Sequence, residues 1–418
     1  MRPRSDAAGR PARFDAAITG LGMMTPAGVG TGPSWARIRE GAATEAVTVP
    51  ELAGVTTDFA CRVPGFDPAA VLGRRRVLQL DRSSQLVLAA ALEAVADSGL
   101  DPQDWDGARV GVVLGNGIGG AQTWETQHRR LLESGARRVS PRLIPMLSAN
   151  MTAGYVSMEF GARGPSLVTA TACASGTTAV GTARDLLRSG ACDVVLTGGA
   201  EAPLTASLVA GFSQMGALSR RGHDIRSASR PFDADRDGFV AAEGAAVLVL
   251  ERAEDARARG ARVRAMVSGY GASADAFHAT APDPECTGAA LALRAALRDA
   301  GIGPDEVDHV NAHGTATAIN DATEARLIRE VLGQRPSVTS VKGVTGHSLS
   351  AAGAIEAAVS ALTLEEGFVP PTANLESLDP EIDLDVVAKA GREGPVEVVV
   401  SNSFGFGGQN AVLLLTRA

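Results

Sequence analysis

A weak internal repeat constrains this chain more than any single residue does. The run Leu92-Glu-Ala-Val-Ala-Asp-Ser-Gly-Leu-Asp-Pro102 is echoed by Arg294-Ala-Ala-Leu-Arg-Asp-Ala-Gly-Ile-Gly-Pro304, which sets Asp97 and Asp299 202 positions apart. Asp193-Val-Val-Leu-Thr197 is echoed 204 positions on by Glu397-Val-Val-Val-Ser401, and Ala17-Ile-Thr-Gly-Leu-Gly22 by Met266-Val-Ser-Gly-Tyr-Gly271. In each half an amphipathic helix ends at a glycine, and an apolar strand runs into a glycine-rich turn. Two α/β halves of this kind predict a duplicated fold whose strands meet near a pseudo-two-fold axis. Chemistry then gathers where strand ends meet helix starts. The halves are drawn at residues 15–260 and 261–418, behind an Arg/Pro/Gly-rich stretch over 1–14 that reads as a flexible tail.

Composition excludes several classes of function. A net charge of −8, with no long basic run, argues against a nucleic-acid partner. The most apolar stretch, Val194 to Leu218, is interrupted by Glu201, Pro203 and several glycines, so no membrane span is expected. Four cysteines without regular spacing, and no secretion signal, point to a reducing cytoplasm. With 4% aromatics and 48 glycines, the core must be packed tightly from Ala, Val and Leu.

Chemistry is concentrated in three places. Cys173 lies in Leu167-Val-Thr-Ala-Thr-Ala-Cys-Ala-Ser-Gly-Thr-Thr-Ala-Val-Gly181, where a β-prone segment gives way to an Ala-rich helical pattern. A thiol at a helix start meets unpaired N–H groups and the positive end of the helix dipole, which favour the thiolate. Its small neighbours leave room for a carbonyl to approach the sulfur. His313 ends the apolar stretch Val310-Asn-Ala-His-Gly-Thr-Ala-Thr317, and His347 stands in Val341-Lys-Gly-Val-Thr-Gly-His-Ser-Leu-Ser-Ala-Ala-Gly-Ala-Ile-Glu356, again ahead of an Ala-rich helix. One Cys and two His on strand-to-helix turns form a catalytic constellation. The closing run Val398-Val-Val-Ser-Asn-Ser-Phe-Gly-Phe-Gly-Gly-Gln-Asn410 can set a backbone N–H against a developing oxyanion.

Other motifs are decoys. Gly115-Asn-Gly-Ile-Gly-Gly120 fits the dinucleotide fingerprint formally, yet Ala121-Gln-Thr-Trp-Glu does not continue it as a tight Gly/Ala helix. Asp233-Ala-Asp-Arg-Asp-Gly238 opens like a calcium loop, but Gly244 occupies its twelfth position and Arg236 intrudes, so an ion-paired turn is expected and no metal. Cys61, Cys192 and Cys286 read as inert thiols, and His128, His223 and His309 as surface or packing residues.

From about Ala16 to the C-terminus the chain resembles the β-ketoacyl-acyl carrier protein synthases of the type II class, condensing enzymes of the thiolase-like fold. The Cys173 run, Gly198-Gly-Ala-Glu201, Ser229-Arg-Pro-Phe-Asp-Ala-Asp-Arg-Asp-Gly-Phe-Val240, both His motifs and Phe404-Gly-Phe-Gly-Gly408 carry the resemblance, in family order. It implies a duplicated αβαβα five-layer α/β fold. It also implies a decarboxylative Claisen condensation of an acyl thioester with malonyl-acyl carrier protein through acyl-Cys173. On this resemblance His313 and His347 serve the enolate, with Lys342 and Glu356 setting the charge and orientation of His347. The N–H groups of Cys173 and Phe406 make the oxyanion hole, and Phe404 and Phe406 gate entry. Gly117, Ile118 and Phe212 line the acyl tunnel, and Thr315 and Thr317 bond the pantetheine amides. Arg137 and Arg138, with Arg75 in the run Arg74-Arg75-Arg76, would dock an acidic carrier protein. No cofactor is implied beyond the phosphopantetheine that arrives on the carrier.

The partner implied is a second copy or a homologous chain-length-factor subunit. Gln409 and Asp81-Arg-Ser-Ser-Gln85 lean toward ketosynthases of bacterial type II polyketide or polyene systems, which stand beside fatty-acid elongation as the second reading. A silent chain-length factor is disfavoured because Cys173 is present. A degradative thiolase is disfavoured because Ser401-Asn-Ser403 offers no second cysteine.

Overall fold

The computed structural model describes residues 14–418, so the tail expected over 1–14 lies almost wholly outside the described residues. Five strands of the first half, β1 (Ala16–Thr25), β2 (Val110–Gly115), β3 (Ser166–Thr169), β4 (Val194–Glu201) and β5 (Gly244–Arg252), stand in the order β1-β5-β4-β2-β3. The second half supplies β6 (Ala265–Ala274), β7 (His309–Asn311), β8 (Ser337–Thr339), β9 (Val398–Gly405) and β10 (Gln409–Thr416), in the matching order β6-β10-β9-β7-β8. Pairing senses repeat too: β2 runs parallel to β3 and β4 as β7 does to β8 and β9, and the remaining pairs are antiparallel. The halves join where β1 pairs β6 antiparallel, Ala16 opposite Val267 and Ile18 opposite Ala265, giving one 12-stranded sheet completed by the short strands Gly28–Val29 and Asp385–Val386.

Strand alternation splits the core into layers. Leu248, Leu250, Leu413 and Leu415 face a central cluster shared with Val180, Leu187, Ile355 and Val359 of two helices, α3 (Ser175–Arg188) and α7 (Ala352–Glu366). The intervening Val247 and Val249 face outward to α1 (Arg82–Ser98), and Val412 and Leu414 face α5 (Thr287–Ala300). The result is helix, half-sheet, helix pair, half-sheet, helix: the five layers expected.

Glycine explains why the repeat shows in the sequence. A Cβ on Gly20 or Gly22 would stand 2.1 or 1.9 Å from the carbonyl oxygens of Ala94 and Ala90 in α1. At the equivalent Gly269 and Gly271 it would stand 2.4 and 2.0 Å from Ala296 and Ala292 of α5. Helix backbone lies directly on strand backbone in both halves, and no residue with a side chain fits. Among the described residues no helix is long and apolar enough to cross a membrane.

Candidate active site

Two matching turns build the site. Thr171 ends the approach from β3, Ala172 adopts a left-handed φ of 48°, and a short 3₁₀ turn over Ala172–Ala174 carries Cys173 into α3. In the second half Leu349 has a φ of 49°, and the 3₁₀ turn Leu349–Ala351 carries Ser350 into α7. Left-handed backbone at a residue with a Cβ is strained, and the surrounding packing must hold it. Here the two helix starts brace each other: a Cβ on Gly176 would meet the Ala354 nitrogen at 2.7 Å, and one on Gly353 the Thr177 hydroxyl at 2.1 Å.

His313 sits on the turn between β7 and α6 (Ala318–Leu332), its N–H donating to Glu324 at 2.8 Å. His347 follows β8 and is clamped through its backbone, its N–H donating to Val240 at 2.8 Å and its carbonyl accepting from Ala242 at 3.0 Å. The Ser229–Val240 run thus earns its place by holding His347 and by stacking Phe239 edge-on against its ring, 5.3 Å between centroids. His313 and His347 also meet edge to face at 5.3 Å. Phe404 packs on His313, and Phe406 packs on Phe212, which packs on Phe239. These rings wall a cavity of about 520 Å³.

Cys173, His313 and His347 all line that cavity, together with Gly117, Ile118, Phe212, Thr315, Thr317, Phe404 and Phe406. A Cβ on Gly405 would come within 3.0 Å of the Cys173 nitrogen, so the terminal loop lies directly against the nucleophile's turn. Thr315 and Thr317 share a hydroxyl hydrogen bond of 2.9 Å. Sequence reasoning left Glu201, Asp237, Phe239 and Ser350 without roles, yet all four line the cavity. Their signal was membership of the quoted motifs.

Electrostatics departs from the sequence reading in two respects. Burial pushes the Cys173 thiol up to about 12; Lys342 pulls the other way, and Glu201 and Glu356 add to the rise. The resting sulfur is therefore a thiol, because desolvation of a buried anion outweighs the helix start. The second concerns Lys342, whose charge acts on His347 but whose hydrogen bond goes to His313: its Nζ donates to the His313 carbonyl at 2.6 Å and stands 3.5 Å from His313 Nδ1. Lys342 also pairs with Glu356, both almost fully buried. Burial raises Glu356 to about 7 and the lysine pulls it back. Burial, with Lys342, holds both imidazoles well below their usual range, and His347 adds to the effect on His313. Both are neutral at neutral pH. With the Lys342 amine beside Nδ1, the tautomer that avoids two opposed donors carries the His313 proton on Nε2.

The remaining expectations resolve as follows. Arg137 and Arg138 are exposed on a 3₁₀ turn after α2 (Ala121–Ser134). Arg74, Arg75 and Arg76 line a separate surface pocket, and Arg76 pairs with Glu159. Arg220 and Arg221, overlooked in the sequence, follow the cavity-lining Ala217. Gly115–Gly120 does run from strand to helix, but Gly117 and Ile118 face the Cys173 cavity. The Asp233 turn is ion-paired, Arg230 to Asp233 at 2.9 Å and Arg236 to Asp379 at 2.5 Å. Asp81 caps α1 and bonds Thr123, and Gln85 bonds the Val77 and Leu80 carbonyls, so that run supports structure away from the cavity.

His309 is a packing residue, buried with Nδ1 against Ser337 at 3.0 Å, and burial lowers it from 6.5 to about 4. Its folded pKa lies below its unfolded one, so the unfolded chain takes up the proton first on acidification. The stability due to His309 is intact above about 6.5 and drains away toward about 4. Between pH 7 and pH 4, the unfolding free energy of the wild type is expected to fall by about 3 kcal/mol more than that of His309→Gln. Denaturant titration at the two pH values checks this, and equal falls would refute it.

One thiol, two neutral imidazoles and a glycine loop around a single cavity of a duplicated α/β scaffold define a condensing acyltransferase of thiolase-like fold. Matches to known proteins give the family. The β-ketoacyl synthase N-terminal domain matches residues 14–256 and the C-terminal domain residues 264–376. The chain is 42% identical over 404 residues to 3-oxoacyl-[acyl-carrier-protein] synthase 2 of Staphylococcus aureus, covering 96% of this chain and 97% of that one. It is 42% identical over 407 residues to the Synechocystis sp. enzyme of the same name, with the same coverage. Among solved structures it resembles the ishigamide ketosynthase/chain length factor, with a TM-score of 0.90 and 37% identity over 97% of this chain and 100% of that one. A type II polyketide acyl-carrier protein in complex with its ketosynthase bound to the hexaketide gives a TM-score of 0.90 at 32% identity, with the same coverage. The chain belongs to the β-ketoacyl synthase family.

Proposed function

We propose that the protein is a 3-oxoacyl-acyl carrier protein synthase. The single observation that carries this reading is the convergence of Cys173, His313 and His347 on one aromatic-walled cavity. Cys173 Sγ attacks the carbonyl of an acyl thioester, and the carrier thiol leaves with the proton. Malonyl-carrier protein then loses CO₂, and its enolate carbon attacks the acyl carbonyl, forming the C–C bond as the C–S bond breaks and Cys173 Sγ leaves. The product is a 3-oxoacyl chain longer by two carbons. The enolate oxygen needs neutral donors in a dry site, which the low imidazole pKa values and the His313 Nε2–H supply. The N–H groups of Cys173 and Phe406 serve as the oxyanion hole, consistent with the close approach of Gly405. The phosphopantetheine arm passes Thr315 and Thr317, and no further cofactor takes part. Arg137, Arg138 and Arg75 remain the docking candidates, joined by Arg220 and Arg221 near the cavity. Mass spectrometry of the acyl group trapped on Cys173 with each candidate carrier protein tests the reading, and absence of any acyl-Cys173 overturns it.

A polyketide ketosynthase working with a chain-length factor is the second reading, favoured by the 37% identity to the ishigamide protein. Either way the molecule needs a homologous partner. Among the described residues β3 ends the sheet with no strand on its outer side; Leu167 on it is 44% exposed, and Met158 of the helix Met151–Phe160 is exposed as well. An exposed edge strand invites pairing. The purified chain is expected to be dimeric by light scattering, and Leu167→Arg to weaken the dimer. A soluble wild-type monomer that becomes active only with a homologous subunit would favour the polyketide reading.

A further inference from the structure

Glu201 is the buried acid that the condensation does not use. It ends β4, is 1% exposed, and lines the cavity beside Cys173. Its Oε2 accepts the Gly117 N–H at 3.0 Å and the Ser350 hydroxyl at 2.6 Å, and the Ile118 N–H is directed at the same carboxyl. Asn116 Nδ2 approaches Oε1 at 3.5 Å and bonds the Ala200 carbonyl at 2.8 Å. One carboxyl therefore ties three elements: the end of β4, the turn carrying Ile118, and the strained turn Leu349–Ala351. That last turn is the counterpart, in the second half, of the turn that carries Cys173. Ile118, Leu349 and Phe212 pack in one apolar cluster with Cys173.

We infer that Glu201, through Ser350 and the Gly117 N–H, is a positioning residue that fixes the Ile118 wall of the acyl pocket against Cys173 and so sets which acyl chains the enzyme accepts. The chemistry follows from the donor count. A carboxylate offers acceptors only, and the Gly117 N–H, the Ile118 N–H and the Asn116 amide nitrogen that face it are donors, while the Ser350 hydroxyl donates to it at 2.6 Å. An amide in its place keeps one oxygen for the Gly117 and Ser350 donors and sets its NH₂ where Oε1 faces Asn116 Nδ2 at 3.5 Å, a donor against a donor that displaces the turn from Asn116 to Ile118. Burial makes that mismatch expensive and the displacement local. Burial, and to a lesser degree the Asp81 charge, raises the Glu201 carboxyl to about 7 against the pull of its hydrogen bonds. Wall shape bears on chain length because one methylene of fit is worth about tenfold or more in acyl selection.

The inference rests on acyl transfer to Cys173, and its test separates the two. The full-length wild type, Glu201→Gln and Ser350→Ala are acylated with carrier-bound chains from acetyl upward, and single-turnover rates are read by mass spectrometry. Both variants are expected to change the ratio of long-chain to acetyl transfer by about tenfold in the same direction. Melting temperatures confirm that each is folded, and Ser350→Thr, which keeps the hydroxyl, should restore much of the ratio. An unchanged ratio in folded variants, or equal loss at every chain length, overturns the role of Glu201. Failure of the wild type to acylate Cys173 with any chain overturns instead the functional reading on which it stands.

Discussion

Replacing Cys173 with alanine is expected to abolish condensation, lowering turnover by at least about 10⁴-fold, as for removal of a covalent nucleophile. The side chain is small, buried and without an ion partner, and it sits in a turn whose strain falls on Ala172 rather than on itself. Alanine keeps the turn, the helix start and the contact with Gly405, so the fold should survive with a melting temperature near that of the wild type. The other three cysteines cannot substitute. Cys61 and Cys192 are buried within core clusters, and Cys286 is buried with its sulfur against the Thr323 carbonyl at 3.2 Å. Mass spectrometry after incubation with acyl-carrier protein should show one acyl adduct on the wild type and none on the variant. Chain extension by a folded Cys173→Ala protein would remove the thiol from the mechanism.

What the sequence disclosed was local, and what it concealed was pairing at long range. The repeat is legible because strand-on-helix contact demands glycine at Gly20, Gly22, Gly269 and Gly271, a requirement written in neighbouring residues. The thiol and the two histidines are legible for the same reason, each lying in a turn whose small residues announce it. No such signal tells which turn meets which. Lys342 stands five residues before His347, which invites that pairing, whereas the β7-to-α6 turn brings His313 to it across 29 positions. The state of the Cys173 thiol was likewise misjudged, since the helix start is visible in sequence but the depth of burial is not. Glu201 and Ser350, 149 positions apart, show no relation until β4 and α7 converge. Asp81–Gln85 shows the converse, because its residues cap and brace α1 and do not line the Cys173 cavity.

Alanine at His313 or at His347 is expected to lower malonyl decarboxylation by about 10²–10³-fold, while acyl transfer to Cys173 suffers less. The asymmetry follows from where charge develops. On the proposed mechanism the negative oxygen of decarboxylation appears in front of the imidazoles, and a neutral ring N–H loses nothing to reorganisation when its ring is locked before the substrate arrives. For His313 that lock is Lys342 on Nδ1 and Glu324 on the backbone; for His347 it is the Val240 and Ala242 backbone and the Phe239 ring. In acyl transfer the negative oxygen instead faces the turn at Cys173 and Gly405, which neither substitution touches. Lys342 is the wrong residue for this dissection. Its removal leaves Glu356 buried without its ion partner, a change worth about 3–5 kcal/mol of stability, so lost activity would be confounded with lost structure. The histidine variants avoid this, because neither ring carries charge in the resting protein. Release of CO₂ from malonyl-carrier protein, measured beside single-turnover acylation for the same preparations, gives the ratio directly. Normal CO₂ release from both folded variants would take the histidines out of the enolate step, and equal losses in the two half-reactions would mean that they shape the cavity without stabilising charge.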